Sequence, residues 1–143
     1  MSAQENVQIV KDAYAAFARG DIQGLLALFA EDSEWISPGE GLPLAGTHRG
    51  HAALADFFQK VSEAMEFSSL KPREFVADGD RVLVVGFDSG RVKATNRTFE
   101  KPWVKAFTVR NGKVTNVREY TDTLALAQAF GMAASASVGT ART

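Results

Sequence analysis

Residues 81–121 constrain the fold more than any other part of this chain. Three strand-like runs follow one another there, and Asn111-Gly112 between the last two is a strong short-range hairpin signal. In the first run, alternation sets Val82, Val84, Gly86 and Asp88 on one face and Leu83, Val85 and Phe87 on the other. Residues 89–96 are polar and read as a hairpin with a bulge, which leaves Asp88 just before a turn at Ser89-Gly90. Trp103, Lys105, Phe107 and Val109 then alternate against Val104, Ala106 and Thr108. The last run splits Thr115, Val117 and Glu119 from Val114, Asn116, Arg118 and Tyr120. An earlier strand is expected over 69–77, ending in the turn Asp78-Gly79-Asp80.

A sheet this long needs a cover, and the N-terminal half supplies helices. Val10, Tyr14 and Phe17, with Ala13 on the same side, give 4–19 a helical period that Gly20 ends. Asp21 is a good N-cap for a second helix burying Ile22, Leu25, Leu26 and Phe29 and stopping near Glu31-Asp32. A short strand is expected at 34–37, then a Gly/Pro-rich loop over 38–50 that reads as a pocket rim or an irregular connection. A third helix over 51–65 carries the stripe Leu54, Phe57, Phe58 and Val61. Helices first and strands without helical crossovers afterwards make an α+β pattern.

The sheet carries apolar groups on both faces. One face covers the helices. The other is expected to form a homodimer interface, because a solvated face would be more polar. At 143 residues the length fits one domain, taken as 1–130, with an Ala/Ser/Gly/Thr-rich tail over 131–143 that is expected to be disordered after a helical piece near 124–130.

The 16 basic and 17 acidic residues are interspersed, so neither a nucleic-acid nor a membrane partner is indicated. The absence of cysteine excludes disulfides and a thiolate nucleophile. No signal peptide or membrane span is read, and a cytoplasmic location is expected. His48 and His51 lack the spacing that sets two ligands on one helical face, so no metal is expected. Nor do the glycines of 39–50 form a nucleotide loop, and no cofactor is expected.

Several segments carry a family resemblance: residues 15–22 (AAFARGDI), 28–32 (LFAED), 45–50 (AGTHRG), Asn111-Gly112-Lys113-Val114, and 118–122 (REYTD). With them the chain resembles the SnoaL-like branch of the nuclear-transport-factor-2-like superfamily over roughly residues 5–130. The resemblance implies a cone: a strongly bent mixed sheet wrapped around three helices, a deep pocket, and often a dimer through the outer face. Relatives include ketosteroid isomerases, limonene-epoxide-type hydrolases and polyketide cyclases, and a shared fold does not choose among them.

Carried over by position, the isomerase tyrosine falls at Ala13, with Tyr14 beside it able to serve if the placement slips by one; its base falls at about Ser37 and its second acid at 103–105, and no shift restores both acids. The epoxide-hydrolase Asp–Arg–Asp cluster fares better. Its water-activating position matches Glu119 and its proton donor Asp88, with Gly86 in place of the bridging arginine and Arg73, Arg81 or Arg97 as possible spatial substitutes. Trp35 and Ser37 match the water-orienting positions. A cyclase-like site needs only one poised acid or base, for which Glu119 serves, assisted by Asp88 or His48.

Catalysis is therefore expected from Glu119 and Asp88, with His48 as a weaker candidate. Ligand contact is expected from Tyr14, Trp35, Ser37, Phe58, Trp103 and Val117. His51 reads as a helix-end contact and Asp122 as a helix cap. Three readings follow: an isomerase, cyclase or hydrolase acting on a small, mostly apolar organic molecule; a binding or accessory protein using the same pocket without turnover; and a dimeric scaffold whose cavity is filled by side chains.

Overall fold

A computed structural model describes residues 2–132. The first helix, α1 (Ala3–Ala18), begins at a capping box: the Ser2 hydroxyl accepts the Glu5 backbone N–H while the Glu5 carboxylate accepts that of Ser2. It ends at Gly20, whose φ of +72° lets Asp21 N–H return to the Ala16 carbonyl. Asp21 then caps α2 (Ile22–Leu26) by accepting from Gly24 N–H at 2.8 Å. That helix is shorter than the sequence suggests. Phe29 belongs to strand β1 (Phe29–Ser37), which begins five residues before the expected start at Glu34.

The Gly/Pro-rich segment also holds a strand of its own, β2 (Gly46–Arg49), paired antiparallel to β1. Helix α3 (His51–Ala64) lies where its apolar stripe puts it. Its first residue reaches outward: the His51 ring donates from Nε2 to the Phe29 carbonyl at 2.9 Å, tying the helix start to β1.

Strands β3 (Met65–Asp78), β4 (Arg81–Val92), β5 (Arg97–Arg110) and β6 (Lys113–Thr121) complete the sheet, and α4 (Thr123–Ala129) follows, capped by Asp122 as expected. The sheet order is β2-β1-β6-β5-β4-β3, antiparallel throughout except for β1 beside β6. It is a curved, unclosed six-stranded sheet. Breaks in register along β3 and β6 add local bend and twist. Asn111 and Gly112 both have positive φ (+52° and +78°), as a two-residue hairpin between twisted strands requires.

Two expectations fail at bulges and turns. The polar segment after Asp88 is not a turn: β4 continues to Val92, and the reversal comes at residues 93–96. In β6, Thr115 is an extra residue, since Thr108 faces Asn116 while Val109 faces Val114. The bulge turns Val114 inward beside Val117, and both are fully buried. Strict alternation had put them on opposite faces.

Helices α1 and α3 pack into the concave side of the sheet, and the core lies between them. Val10, Leu54, Phe58, Val82, Val84, Phe107 and Val117 form its centre. Among the described residues no helix is long and apolar enough to cross a membrane. Except for Gly131 and Met132, the tail expected to be disordered lies outside the described residues.

Candidate functional site

The helices do not fill the concave face. The cavity they leave is bounded by α1 and α3, the inner faces of β4, β5 and β6, the 38–45 segment and α4. Its volume is about 120 Å³, roughly ten times what one water needs. A filled-cavity scaffold does not describe this chain.

Most of the wall is aromatic or aliphatic, with Phe17, Phe29, Phe57, Phe58 and Phe107 prominent. Trp35 packs edge-on to Phe58 and tilted against Phe57, and it stacks with Phe29. One strip of the wall is polar, and strand geometry makes it. On β5 every second residue from Phe99 to Val109 points inward, which buries Lys101, Trp103 and Lys105 among apolar neighbours.

Asp88 on β4 lies directly opposite Lys101, and Gly86 directly opposite Trp103. The Asp88 carboxylate accepts from Lys101 Nζ at 3.1 Å and from Trp103 Nε1 at 2.6 Å, so both oxygens are engaged. Asp88 and Lys101 are each only 3 % exposed, a buried pair that is charge-balanced and hydrogen-bonded. Gly86 is what lets Trp103 reach it, because a Cβ at that position would overlap the indole ring.

Lys101 also lies 4.0 Å from Glu119 and so bridges the two carboxylates. A lysine thus stands where the sequence comparison looked for an arginine. The three candidate arginines are elsewhere: Arg73 lies over Phe87, Arg97 donates to the Gln128 carbonyl, and Arg81 is exposed at the start of β4. Glu119 is half-buried and, among the described residues, makes no side-chain hydrogen bond.

Tyr14 faces this strip from α1, stacked 5.8 Å from Trp103. Burial first, and then the negative charges of Glu119 and Asp88, push its hydroxyl well above the ordinary tyrosine value, so it stays protonated and able to donate. Tyr14 Oη and Trp35 Nε1 are both buried without a hydrogen-bond partner among the described residues. Buried polar groups are nearly always paired, so two orphans on one cavity wall mark it as incomplete.

Of the residues expected to act, Glu119, Asp88, Tyr14, Trp35, Ser37 and Phe58 line the cavity. Trp103 and Val117 do not; they are buried behind the wall, Trp103 serving Asp88 and Val117 serving the core. His48 is outside as well. Its Nε2 donates to the Leu44 carbonyl at 2.8 Å and its ring lies 4.3 Å from Phe57, so it pins the rim segment from behind. Ala13 and Ser37 line the cavity but bring neither the tyrosine nor the carboxylate of the isomerase positions; the tyrosine and the two acids present, Tyr14, Glu119 and Asp88, come from other positions.

Lys101 and Lys105 escaped the sequence reading. Their signal was the spacing of two along β5, which placed lysines on the same face as Trp103 and Phe107. Among the described residues no group of three or more His, Asp or Glu is placed to hold a metal.

A family model for the SnoaL-like domain matches residues 10–117. The chain belongs to the SnoaL-like family. A crystal structure of an NTF2-like protein from Burkholderia xenovorans is 70 % identical, covers 90 % of this chain and 98 % of its own, and superposes with a TM-score of 0.85. TerC, co-crystallised with polyporic acid, is 33 % identical over 89 % of this chain and 98 % of its own, with a TM-score of 0.77. An uncharacterised protein of Mycobacterium tuberculosis is 25 % identical over 130 residues, covering 91 % of this chain and 98 % of its own. The family explains the fold and the cavity. It leaves the chemistry of this SnoaL-like protein to its own side chains.

Proposed function

We propose that this SnoaL-like protein is a cofactor-free acid–base catalyst for a small, mostly apolar carbonyl compound, with Glu119 as the base. One observation carries the reading: a half-buried carboxylate on the wall of an apolar cavity, held 4.0 Å from an ammonium and free of side-chain hydrogen bonds among the described residues. Its lone pairs are available to a proton, as a general base requires. The co-crystallisation of TerC with polyporic acid, an organic acid, supports a pocket for an oxygenated organic molecule.

The step is enolisation. Glu119 removes a proton from the carbon beside a carbonyl, the C–H electron pair becomes a C=C bond, and the carbonyl π pair moves onto oxygen. Tyr14, kept protonated by its surroundings, donates to the charge that develops there. Returning the proton to a different carbon isomerises the substrate. Attack of the enolate carbon on a second carbonyl in the same molecule closes a ring. Asp88, with both oxygens engaged, acts as a positioning residue that holds Lys101 beside Glu119.

The test is deuterium uptake from heavy water into a panel of ketones and lactones. Wild type should exchange the carbon-bound proton of at least one compound, and Glu119→Gln should lose about a hundredfold or more of that rate. Equal exchange by both proteins would overturn the role of Glu119. Binding without exchange would favour the second reading, a carrier or accessory protein, which the full engagement of Asp88 also fits.

The proposal extends to a homodimer through the convex face. Leu83, Val85 and Phe87 on β4 sit across from Ala106, Val104 and Pro102 on β5, and Val104 from Tyr120 on β6. Leu83 and Tyr120 are 39 % and 54 % exposed, an apolar outer row of the kind that oligomers cover.

A further inference from the structure

Lys105 has no part in the enolisation scheme. It is 7 % exposed on the cavity wall, and its ammonium is enclosed by three rings: Trp103 at 4.1 Å, Tyr14 at 5.5 Å and Trp35 at 5.8 Å from Nζ to ring centroid. Among the described residues no carboxylate lies within 4.0 Å of it. The nearest candidates are already placed: Asp88 is held by Lys101 and Trp103, and Glu119, its direct neighbour across β5 and β6, leans toward Lys101.

Aromatic faces steady a cation but offer it no lone pair. A buried charge without a counter-charge is costly, and a ligand of opposite charge removes that cost. The rings add a second requirement. Two of the three carry the orphaned donors, Tyr14 Oη–H and Trp35 Nε1–H. One cation and two neutral donors therefore gather around one part of the cavity, and among the described residues no acceptor satisfies them.

We propose that Lys105, Tyr14 and Trp35 form a seat for an ionised oxygen carried on a flat, conjugated apolar body: an enolate, a hydroxyquinone anion or an aryl carboxylate. The surrounding phenylalanines suit the flat body, by stacking and edge contacts. The inference rests on the cavity being the ligand site, as proposed above, and it names what that ligand carries. It also fits the enolisation step, because the enolate is the species whose oxygen bears the charge. A stable anion then mimics the state in which Glu119 has taken up a proton, so neutralising Glu119 should help it bind.

The experiment is a calorimetric titration with three probes. Lawsone is a hydroxynaphthoquinone ionised at neutral pH, menadione is its neutral methyl counterpart of similar shape, and naphthoate carries a carboxylate on the same-sized ring. The chain has no cysteine for a quinone to arylate. Lawsone should bind wild type at least about tenfold more tightly than menadione. Lys105→Met should lose that preference while still binding menadione, and Glu119→Gln should keep or increase it. Because Lys105→Met alters a buried site, the double variant Tyr14→Phe, Trp35→Phe provides a second check: it should lower lawsone affinity selectively with the charge untouched.

Naphthoate bound as tightly as lawsone identifies a general seat for planar oxyanions. Lawsone alone identifies one for enolate-type anions. Equal binding of lawsone and menadione to wild type, or equal weakening of both by Lys105→Met, overturns the seat. If the naphthoquinones are discriminated but no compound exchanges deuterium, the catalytic reading fails and the seat stands. Exchange without discrimination sinks the seat alone. If no probe binds and nothing exchanges, both fall.

Discussion

The concave face has two polar corners a few residues apart on the same strand, and they are opposites. At one, Asp88, Lys101 and Trp103 satisfy one another: the carboxylate has a donor on each oxygen, and the ammonium has a counter-charge. At the other, Lys105, Tyr14 and Trp35 have charge and donors but no acceptor, and Glu119 has lone pairs but no donor within hydrogen-bond range among the described residues. Alternation along β5 created both by turning Lys101 and Lys105 the same way. The first corner is a closed network, which rigidifies the sheet. The second is open on the cavity side, and its open valences are what a ligand would fill.

The sharpest way to break this contrast is to remove one lysine from each corner. Lys101→Met strips Asp88 of its counter-charge at a site only 3 % exposed, and a destabilisation of about 3–5 kcal/mol is expected from urea unfolding. Lys105→Met should cost far less, because it strands no carboxylate. Equal losses would mean the two corners are energetically alike and the division is wrong.

Gly86→Ala tests the closed corner from behind. The new methyl overlaps the Trp103 ring, and paired strands on either side leave little room to yield. A loss of about 1–3 kcal/mol is expected. It should come with a change in tryptophan fluorescence, best read in a Trp35→Phe background, as Trp103 is driven off Asp88. Unchanged fluorescence and stability would place the ring elsewhere.

Tyr14→Phe probes the open corner. Deleting a buried hydroxyl that has no partner should change stability at neutral pH by no more than about 1 kcal/mol, in either direction. The alkaline limb is more informative. The unfolded chain gives up a tyrosine proton near pH 10, whereas burial and the two carboxylates make the fold retain it. Above that pH the folded state holds more protons, so stability falls as pH rises toward the folded value, and the Tyr14 contribution is fully present only below the unfolded value near pH 10. The variant should therefore show a shallower alkaline fall in a pH series of urea midpoints. An identical slope would mean the hydroxyl is solvated.

The smallest effect on fold stability is expected on the convex face, where Leu83→Lys should change monomer stability by about 0.5 kcal/mol or less. It should nonetheless shift sedimentation from dimer to monomer. Wild type sedimenting as a monomer would dispose of the dimer.

Much of the scaffold was legible because it is local. Asp21 and Asp122 announce helix starts through hydrogen bonds spanning three residues, Gly20 supplies the left-handed residue that ends α1, and Asn111-Gly112 specifies a hairpin by its own backbone preference. Alternation in β4 put Asp88 on the inner face, and in β6 it did the same for Glu119. The site was less legible, and one error explains why. Reading the polar 89–96 segment as a turn ended β4 at Asp88 and made that carboxylate look like a turn residue. The reversal at 93–96 instead leaves Asp88 in mid-strand with Lys101 opposite. The bridging cation therefore arrives from the next strand, thirteen residues on, and it is a lysine, which a search for an arginine passes over.

By itself the sequence determined the α+β class, the helix caps, the main hairpin and most of the residues facing inward, since each depends on neighbours within a few positions. Only the tertiary structure decided which lysine meets which carboxylate and which donors go unanswered. Those contacts depend on strand register, and register here is set by a turn and a bulge whose placement is a compromise across the whole sheet.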